Sequence, residues 1–249
     1  MKKTIVIILM MLSSYAFSDK LRIGVEGAYP PFSQTQPDGS VVGFDIDIAN
    51  ALCDEMGAKC KFVIQDWDGM IPALLARKYD AIIASMTITE ERKKKVAFTN
   101  KYYSSPAKFI KNKNSDIRIL NSLMKGLTVG VQQETIMDKF LTDNWGNIVK
   151  IKRYVTQNDA NQDLLIGRLD LVFSEIGPGD ELIKRNNKLE FVGPSYSDSK
   201  WFGSGIGIAL RKGESKLKDR FNDAIKNIRN NGVYDKLQSK YFTYDIYGD

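Results

Sequence analysis

Arg92 is the residue whose position asks for an explanation. In the run Ser85-Met86-Thr87-Ile88-Thr89-Glu90-Glu91-Arg92, Thr89 has the type and place of an N-cap, so the arginine falls in the first turn of a helix. The positive end of the helix dipole favours Glu90 and Glu91 there and disfavours a guanidinium. The preceding apolar run, Asp80 to Ala84, reads as a buried strand. A strand end, two free hydroxyls (Ser85 and Thr87), main-chain N–H groups and one fixed guanidinium together make a receptor for a carboxylate or a phosphate. Arg92 also opens a basic run through Lys95, an ordinary solvated face by itself, and this segment alone leaves both readings open.

The rest of the composition narrows the chemistry. The chain contains no histidine, which excludes a Ser-His-Asp or Cys-His hydrolase, a histidine-ligated zinc site and an imidazole proton shuttle. Neither metal nor cofactor is expected. The first residues carry two lysines, an apolar run from Ile5 to Leu12 and a small-residue ending at Ala16-Phe17-Ser18, the layout of a secretory signal peptide over residues 1–18. Its apolar run is too short to span a bilayer, and no later run approaches that length. Loss of Lys2 and Lys3 lowers the formal charge from +6 to +4. Basic and acidic residues are interspersed, so nucleic acid is not an expected partner. In an exported chain, Cys53 and Cys60 read most simply as a disulfide, worth roughly 2 to 3 kcal/mol for so short a loop; two buried thiols are the alternative.

The positioning elements follow from hydrophobic period. Leu21 to Gly27 reads as a strand, Phe44 to Gly57 as a helix, Lys61 to Gln65 as a strand, and Gly69 to Arg77 as a helix leading to the strand at Asp80. That β-α-β-α-β order implies a parallel sheet flanked by helices. The order repeats with a strand at Leu127 to Val131, a helix near Thr135 to Asp143, a strand at Val149 to Tyr154, a helix from about Asp159 to Gly167 and a strand at Leu169 to Ser174. Extended segments, Ala97 to Ile110 and Trp201 to Leu210, read as crossings between the units, and a helical segment follows Glu214. The expected α/β architecture has two lobes, each a mainly parallel sheet with helices: lobe 1 from residues 19–105 and 205–249, lobe 2 from residues 106–204. Two connections make a hinge with a cleft between the lobes.

Ligands of open α/β sheets gather beyond the carboxyl ends of the strands. Those positions hold Glu26 and Tyr29, Trp67, the Ser85-Met86-Thr87 run with Arg92, Gln132 and Thr135, and Glu175. Singly, each has an ordinary explanation: Tyr29 lies in an aromatic-proline stretch, Trp67 could cap a core, Thr135 could be only an N-cap, and most glutamates are exposed. At one edge of both sheets they would suit a small zwitterion carrying an extra positive charge.

The stretches GVEGAYPPF, GFDIDIANALC, DWDGMIPAL, DAIIASMTITEER, VGVQQE, GRLDLVFSE and YFTYDIYGD resemble the periplasmic binding proteins of polar amino-acid ABC transporters, in particular the lysine/arginine/ornithine and arginine binders. The resemblance runs in order through residues 20–249 and includes the cysteine pair. It implies the two-lobed periplasmic binding protein fold, a cationic L-amino acid as ligand (arginine first, lysine or ornithine next), a monomer in the periplasm, and an inner-membrane ABC permease as partner. It implies that Arg92 clamps the α-carboxylate with help from Ser85, Thr87 and the Thr135 loop, and that Glu175 takes the α-ammonium. Tyr29 and Trp67 would flank the aliphatic stem, and Glu26 would face the distal cation beside Gln132. The sequence departs from the family where Glu134-Thr135-Ile136 follows Gln133, so Glu134 must turn outward for the loop to serve a carboxylate. Both acids are glutamates, where the lysine/arginine/ornithine binders have aspartate; Glu26 with Ala84 and Gln132 looks more like the arginine binders. Two alternatives stay open: an enzyme similar to the periplasmic cyclohexadienyl dehydratases, with Glu175 as general acid, and a binder of neutral polar amino acids.

Overall fold

The computed structural model describes residues 20–248, so the signal-peptide reading of residues 1–18 lies outside the described residues. The chain opens with strand β1 (Lys20–Val25) and a small antiparallel sheet of β2 (Ala28–Tyr29), β3 (Ser33–Thr35) and β4 (Val41–Val42). Helix α1 (Phe44–Glu55) and strand β5 (Lys59–Ile64) follow. A 3-10 turn at Trp67–Gly69 runs into α2 (Met70–Leu75), then come β6 (Ala81–Ile82), α3 (Glu90–Lys93) and β7 (Ala97–Tyr103). Across the first connection lie β8 (Ala107–Asn112), β9 (Thr128–Gln132), α4 (Ile136–Trp145), β10 (Lys150–Tyr154), α5 (Gln157–Leu165), β11 (Leu171–Glu175), α6 (Ile176–Arg185) and β12 (Leu189–Tyr196). The chain returns through α7 (Ser199–Phe202) to β13 (Ile206–Leu210), α8 (Ser215–Asn230) and α9 (Val233–Tyr241).

Two five-stranded sheets result, ordered β5-β1-β6-β13-β7 and β10-β9-β11-β8-β12. They are mixed rather than mainly parallel. In the first, β1 pairs in parallel with β5 and β6, whereas β13 pairs antiparallel with β6 and β7. In the second, β9 is parallel to β10 and β11, and β8 is antiparallel to β11 and β12. The strands that follow a crossing, β8 and β13, run against the βαβ strands, whereas β7 and β12, which lead into a crossing, run with them. The central strands β11 and β13 are buried at every residue, as short apolar runs covered on both faces should be.

Each sheet is packed on both faces. In lobe 1, Ile23, Phe44, Leu52, Ile208 and Phe221 form one cluster, and Met70, Leu74, Tyr79 and Ile82 another. In lobe 2, Val131, Phe140 and Phe173 lie on one side, with Ile110, Leu164 and Val172 on the other. Helix α8 shows how the pattern works: Phe221, Ala224, Ile225 and Ile228 are its buried residues, an i, i+3, i+4, i+7 stripe against the core. Cys53 in α1 and Cys60 in β5 form a disulfide with Cα atoms 6.0 Å apart, tying helix end to strand start.

The second crossing differs from the expected extended segment. Trp201 and Phe202 belong to α7, capped by the Asp198 carboxylate, which accepts from the Lys200 main-chain N–H. Gly203 then takes φ +61, and a Cβ there would stand 2.1 Å from the Ile88 carbonyl oxygen. Only glycine lets the returning chain pass so close to the loop that carries Thr87 and Arg92. The hairpin sheet β2-β3-β4 and strand β12 are further elements that the sequence reading did not anticipate.

Candidate functional site

A cavity of about 280 Å³ lies between the lobes, lined by Glu26, Tyr29, Trp67, Ala84, Ser85, Thr87 and Arg92 from lobe 1, and by Gln132, Thr135, Ile136, Met137 and Glu175 from lobe 2. Every sequence-predicted site residue except Met86 is on its wall.

Met86 is 1% exposed and packs in the core with Met70, Leu74 and Val96. Ser85 and Thr87 line the cavity, whereas the Met86 side chain between them turns into the core. The sequence reading of two free hydroxyls also needs correction. Ser85 has φ +52, a left-handed conformation that costs a non-glycine residue about 1 to 3 kcal/mol. It is held there by Asp45, whose carboxylate accepts from the Ser85 main-chain N–H (2.8 Å) and hydroxyl (3.2 Å), and from the Tyr102 hydroxyl (2.8 Å). Tyr103 donates to the Ser85 Oγ at 2.6 Å. The single hydroxyl proton of Ser85 is therefore spent on Asp45. Thr135 is similarly committed: its hydroxyl donates to the Gln132 carbonyl and accepts from the Asp138 N–H as the cap of α4. What this corner of lobe 2 offers an anion is the first turn of α4, whose leading residues line the cavity.

Arg92 sits in the first turn of α3, capped by Thr89 as read from sequence. Its Nη1 donates to the Thr87 carbonyl at 3.0 Å, and its Cζ lies 5.1 Å from the Trp67 ring centroid, a cation–π contact. Burial pulls its pKa down to about 10, opposed by the negative charges of Glu175 and Glu91. Glu175 ends β11 and is 2% exposed. Burial pushes its carboxyl up to about 8, opposed by the neighbouring Tyr29 hydroxyl, Ser105 and Arg92, with Asp45 adding to the rise. Its Oε2 and the Tyr29 hydroxyl lie against each other without a hydrogen bond of good geometry. Buried polar atoms seldom go unpaired without a reason.

Glu26 follows β1 at the other end of the cavity, 6% exposed. It accepts from Gln132 Nε2 at 2.5 Å, and the second Gln132 amide proton goes to the Val155 carbonyl at 3.1 Å. Burial raises the Glu26 carboxyl to about 7, the Gln132 hydrogen bond lowers it, and Asp66 raises it. Two further bonds cross the cleft at its rim. Trp67 Nε1 donates to the Glu134 carbonyl at 3.1 Å, and Gln133 Nε2 donates to Asp68 Oδ2 at 2.9 Å. Glu134 is exposed, with φ +57, so its side chain turns outward as the carboxylate reading requires. Gln132, Gln133 and Glu134 thus engage three lobe 1 residues in succession.

The structure adds Asp45, Ala84, Ile136 and Met137 to the site or its support. Asp45 is an acid in the first turn of α1, which sequence explains equally well by the helix dipole. Among the described residues no group of three or more His, Cys, Asp or Glu side chains could hold a metal ion, and no helix is long and apolar enough to cross a membrane. What the cavity presents is a guanidinium and a buried acid at one end and a second buried acid at the other.

Comparison with known proteins gives this arrangement a context. The model of the bacterial extracellular solute-binding proteins, family 3, matches residues 21–244. The L-arginine-binding protein of Pseudomonas aeruginosa is 46% identical over 95% of this chain and 93% of its own length. The lysine/arginine/ornithine-binding periplasmic protein of Escherichia coli is 37% identical over the whole of both chains. Among solved structures, a Salmonella typhimurium periplasmic binding protein described for its high arginine specificity superposes with a TM-score of 0.85 at 32% identity, covering 91% of this chain and 100% of its own.

Proposed function

The chain belongs to the bacterial extracellular solute-binding proteins of family 3, and from that premise we propose that it is the periplasmic receptor of an ABC importer for a cationic L-amino acid. Arginine is the leading ligand, with lysine and ornithine behind it, and an inner-membrane permease receives the cargo. The observation that carries this reading is the charge pattern of the cavity: one half-buried arginine and two buried carboxylates on a single wall. L-Arginine brings one anion and two cations, which would neutralise all three.

The α-carboxylate would meet Arg92, the Thr87 hydroxyl and the main-chain N–H groups at the start of α4. The α-ammonium would go to Glu175 and its unpartnered Oε2. The stem would run between Tyr29 and Trp67, and the guanidinium would reach Glu26 and the Gln132 amide oxygen. A planar guanidinium makes more of such an acceptor pair than a point-like ammonium does, which is why arginine leads. Closure would bury each charge against a partner, and a ligand that left one unpaired would be penalised.

No turnover is part of the proposal. Glu26 would repel a doubly anionic dehydratase substrate, and among the described residues Arg92 is the sole cation on the cavity wall, against the two carboxylates of prephenate. Two assays test the reading. Glu26→Gln and Glu175→Gln should each weaken L-arginine binding by roughly 30-fold or more, since each leaves a buried ligand cation unpaired; a loss under threefold removes that residue from the ligand shell. Incubation with prephenate or arogenate should yield no product, and sustained turnover would replace the receptor reading with an enzyme.

A further inference from the structure

The two ends of the cavity differ in how they depend on the ligand. Arg92 and Glu175 meet the α-groups that every amino acid carries, so they are matched whichever one is bound. Glu26 is different. The other charged or titratable groups on the cavity wall are Tyr29, Arg92 and Glu175, with Asp66 beside Glu26, and the lobe 2 side chain bonded to Glu26 is the neutral Gln132. Among the described residues no cation pairs with Glu26, so its balancing charge must come from the ligand side chain.

Hydrogen-bond type gives the same answer. Both amide protons of Gln132 are spent, on Glu26 and on the Val155 carbonyl, so the distal end consists of acceptors: the Glu26 carboxylate and the Gln132 amide oxygen. That suits a guanidinium, which only donates. An uncharged ureido or amide group has a carbonyl oxygen that needs a donor, and the ionised end provides none. A proton on Glu26 repairs both faults at once. It removes the unpaired buried charge, and it supplies an O–H for the ligand carbonyl while Gln132 accepts from the ligand N–H.

We propose that the cleft also binds amino acids with a neutral ureido or amide side chain, each together with one proton carried on Glu26. This rests on the reading that Glu26 faces the ligand side chain. The direction of the effect follows from burial, which already raises this carboxyl from 4.5 to about 7 in the closed cleft. When the cleft opens, solvation returns it towards its ordinary value. Affinity for a neutral ligand is then low and nearly flat above about pH 7 and rises roughly five- to sevenfold per unit as pH falls towards 5. Between pH 7.5 and 5 the gain is on the order of fifty-fold. Arginine keeps Glu26 ionised in the complex, so its affinity has no such slope. Contributions from Asp45, Glu175 and Arg92 are common to both complexes and cancel in the ratio of the two affinities.

L-Citrulline, the uncharged isostere of arginine, is the probe. Both ligands are titrated calorimetrically into ligand-stripped protein from pH 5 to 8, in buffers of different ionisation enthalpy that report protons taken up. The expected result is a citrulline-to-arginine affinity ratio that rises by tens-fold towards pH 5, about one proton taken up with citrulline near pH 6, and loss of both in Glu26→Gln. Tight arginine binding with a pH-independent ratio, or with no citrulline binding at any pH, overturns the proton-coupled inference and leaves the receptor reading intact. Arginine binding that is absent, or unchanged in Glu26→Gln, overturns the placement of Glu26 and the inference with it.

Discussion

Replacing Arg92 by alanine removes the only guanidinium that the described residues place on the cavity wall. Its Nη1 is already engaged with the Thr87 carbonyl and its face with Trp67, which leaves the remaining N–H donors for a ligand carboxylate. Two charge-assisted hydrogen bonds contribute about 1.5 to 3 kcal/mol each. Truncating one partner of a desolvated pair costs 2 to 5 kcal/mol or more in total, because the stranded carboxylate cannot be rehydrated inside the closed cleft. The expected loss of about 3 to 5 kcal/mol corresponds to a Kd for L-arginine raised on the order of 100- to 1,000-fold or beyond. Calorimetric titration measures it, and far-UV circular dichroism confirms that the lobes remain folded. Arg92→Lys should lie between wild type and alanine, keeping the charge but losing the fork and the stack. A Kd for Arg92→Ala within tenfold of wild type would refute the carboxylate-clamp role.

Other perturbations reach the support of the site. Asp45 stays enclosed within lobe 1, its carboxyl raised from 3.8 to about 7 by burial. Stability from such a raised group is complete below its unfolded value and lost as pH rises through the folded one, so the Tm of ligand-free protein should fall between about pH 4 and 7, and Asp45→Asn should flatten that fall; an unchanged slope in the variant assigns the titration elsewhere. Trp67→Phe keeps the ring but deletes the cross-cleft donor to Glu134, and stopped-flow displacement should show arginine release faster by roughly 2- to 10-fold, the worth of one hydrogen bond. Release as slow as wild type would mean that this bond does not hold the cleft shut. Replacing Cys53 and Cys60 by serine should lower unfolding stability by about 2 to 3 kcal/mol in urea and leave arginine affinity within twofold, since the bridge lies at the far end of α1 from the cavity; a large affinity change would contradict that separation.

The two-lobed layout was legible in the order of elements, because alternating apolar runs and helical periods survive without any knowledge of long-range contacts. The mixed character of the sheets was not legible, since strand direction at a crossing depends on where the chain re-enters. Arg92 could be found because it violates a local rule: a guanidinium at a helix N-terminus needs something outside the helix to justify it. Asp45 obeys the same rule and was therefore invisible. Its partners Ser85 and Tyr102 lie 40 and 57 residues away in sequence, and only the fold reveals that it holds the Ser85 turn. Met86 lies off the cavity because its apolar side chain completes the core beside Met70 and Leu74, a choice between core and cleft that the run Ser85-Met86-Thr87 does not reveal by itself.

The central claim is that the cavity is matched to a cationic amino acid. It is tested most directly by titrating refolded, ligand-stripped protein with L-arginine, L-lysine, L-ornithine, L-histidine and L-glutamine at pH 7.5. Arginine should bind most tightly, lysine and ornithine next, and glutamine weakest, because the neutral side chain leaves Glu26 without a partner. Glutamine binding as tightly as arginine, or no binding of any cationic ligand, would contradict the charge-matched cleft.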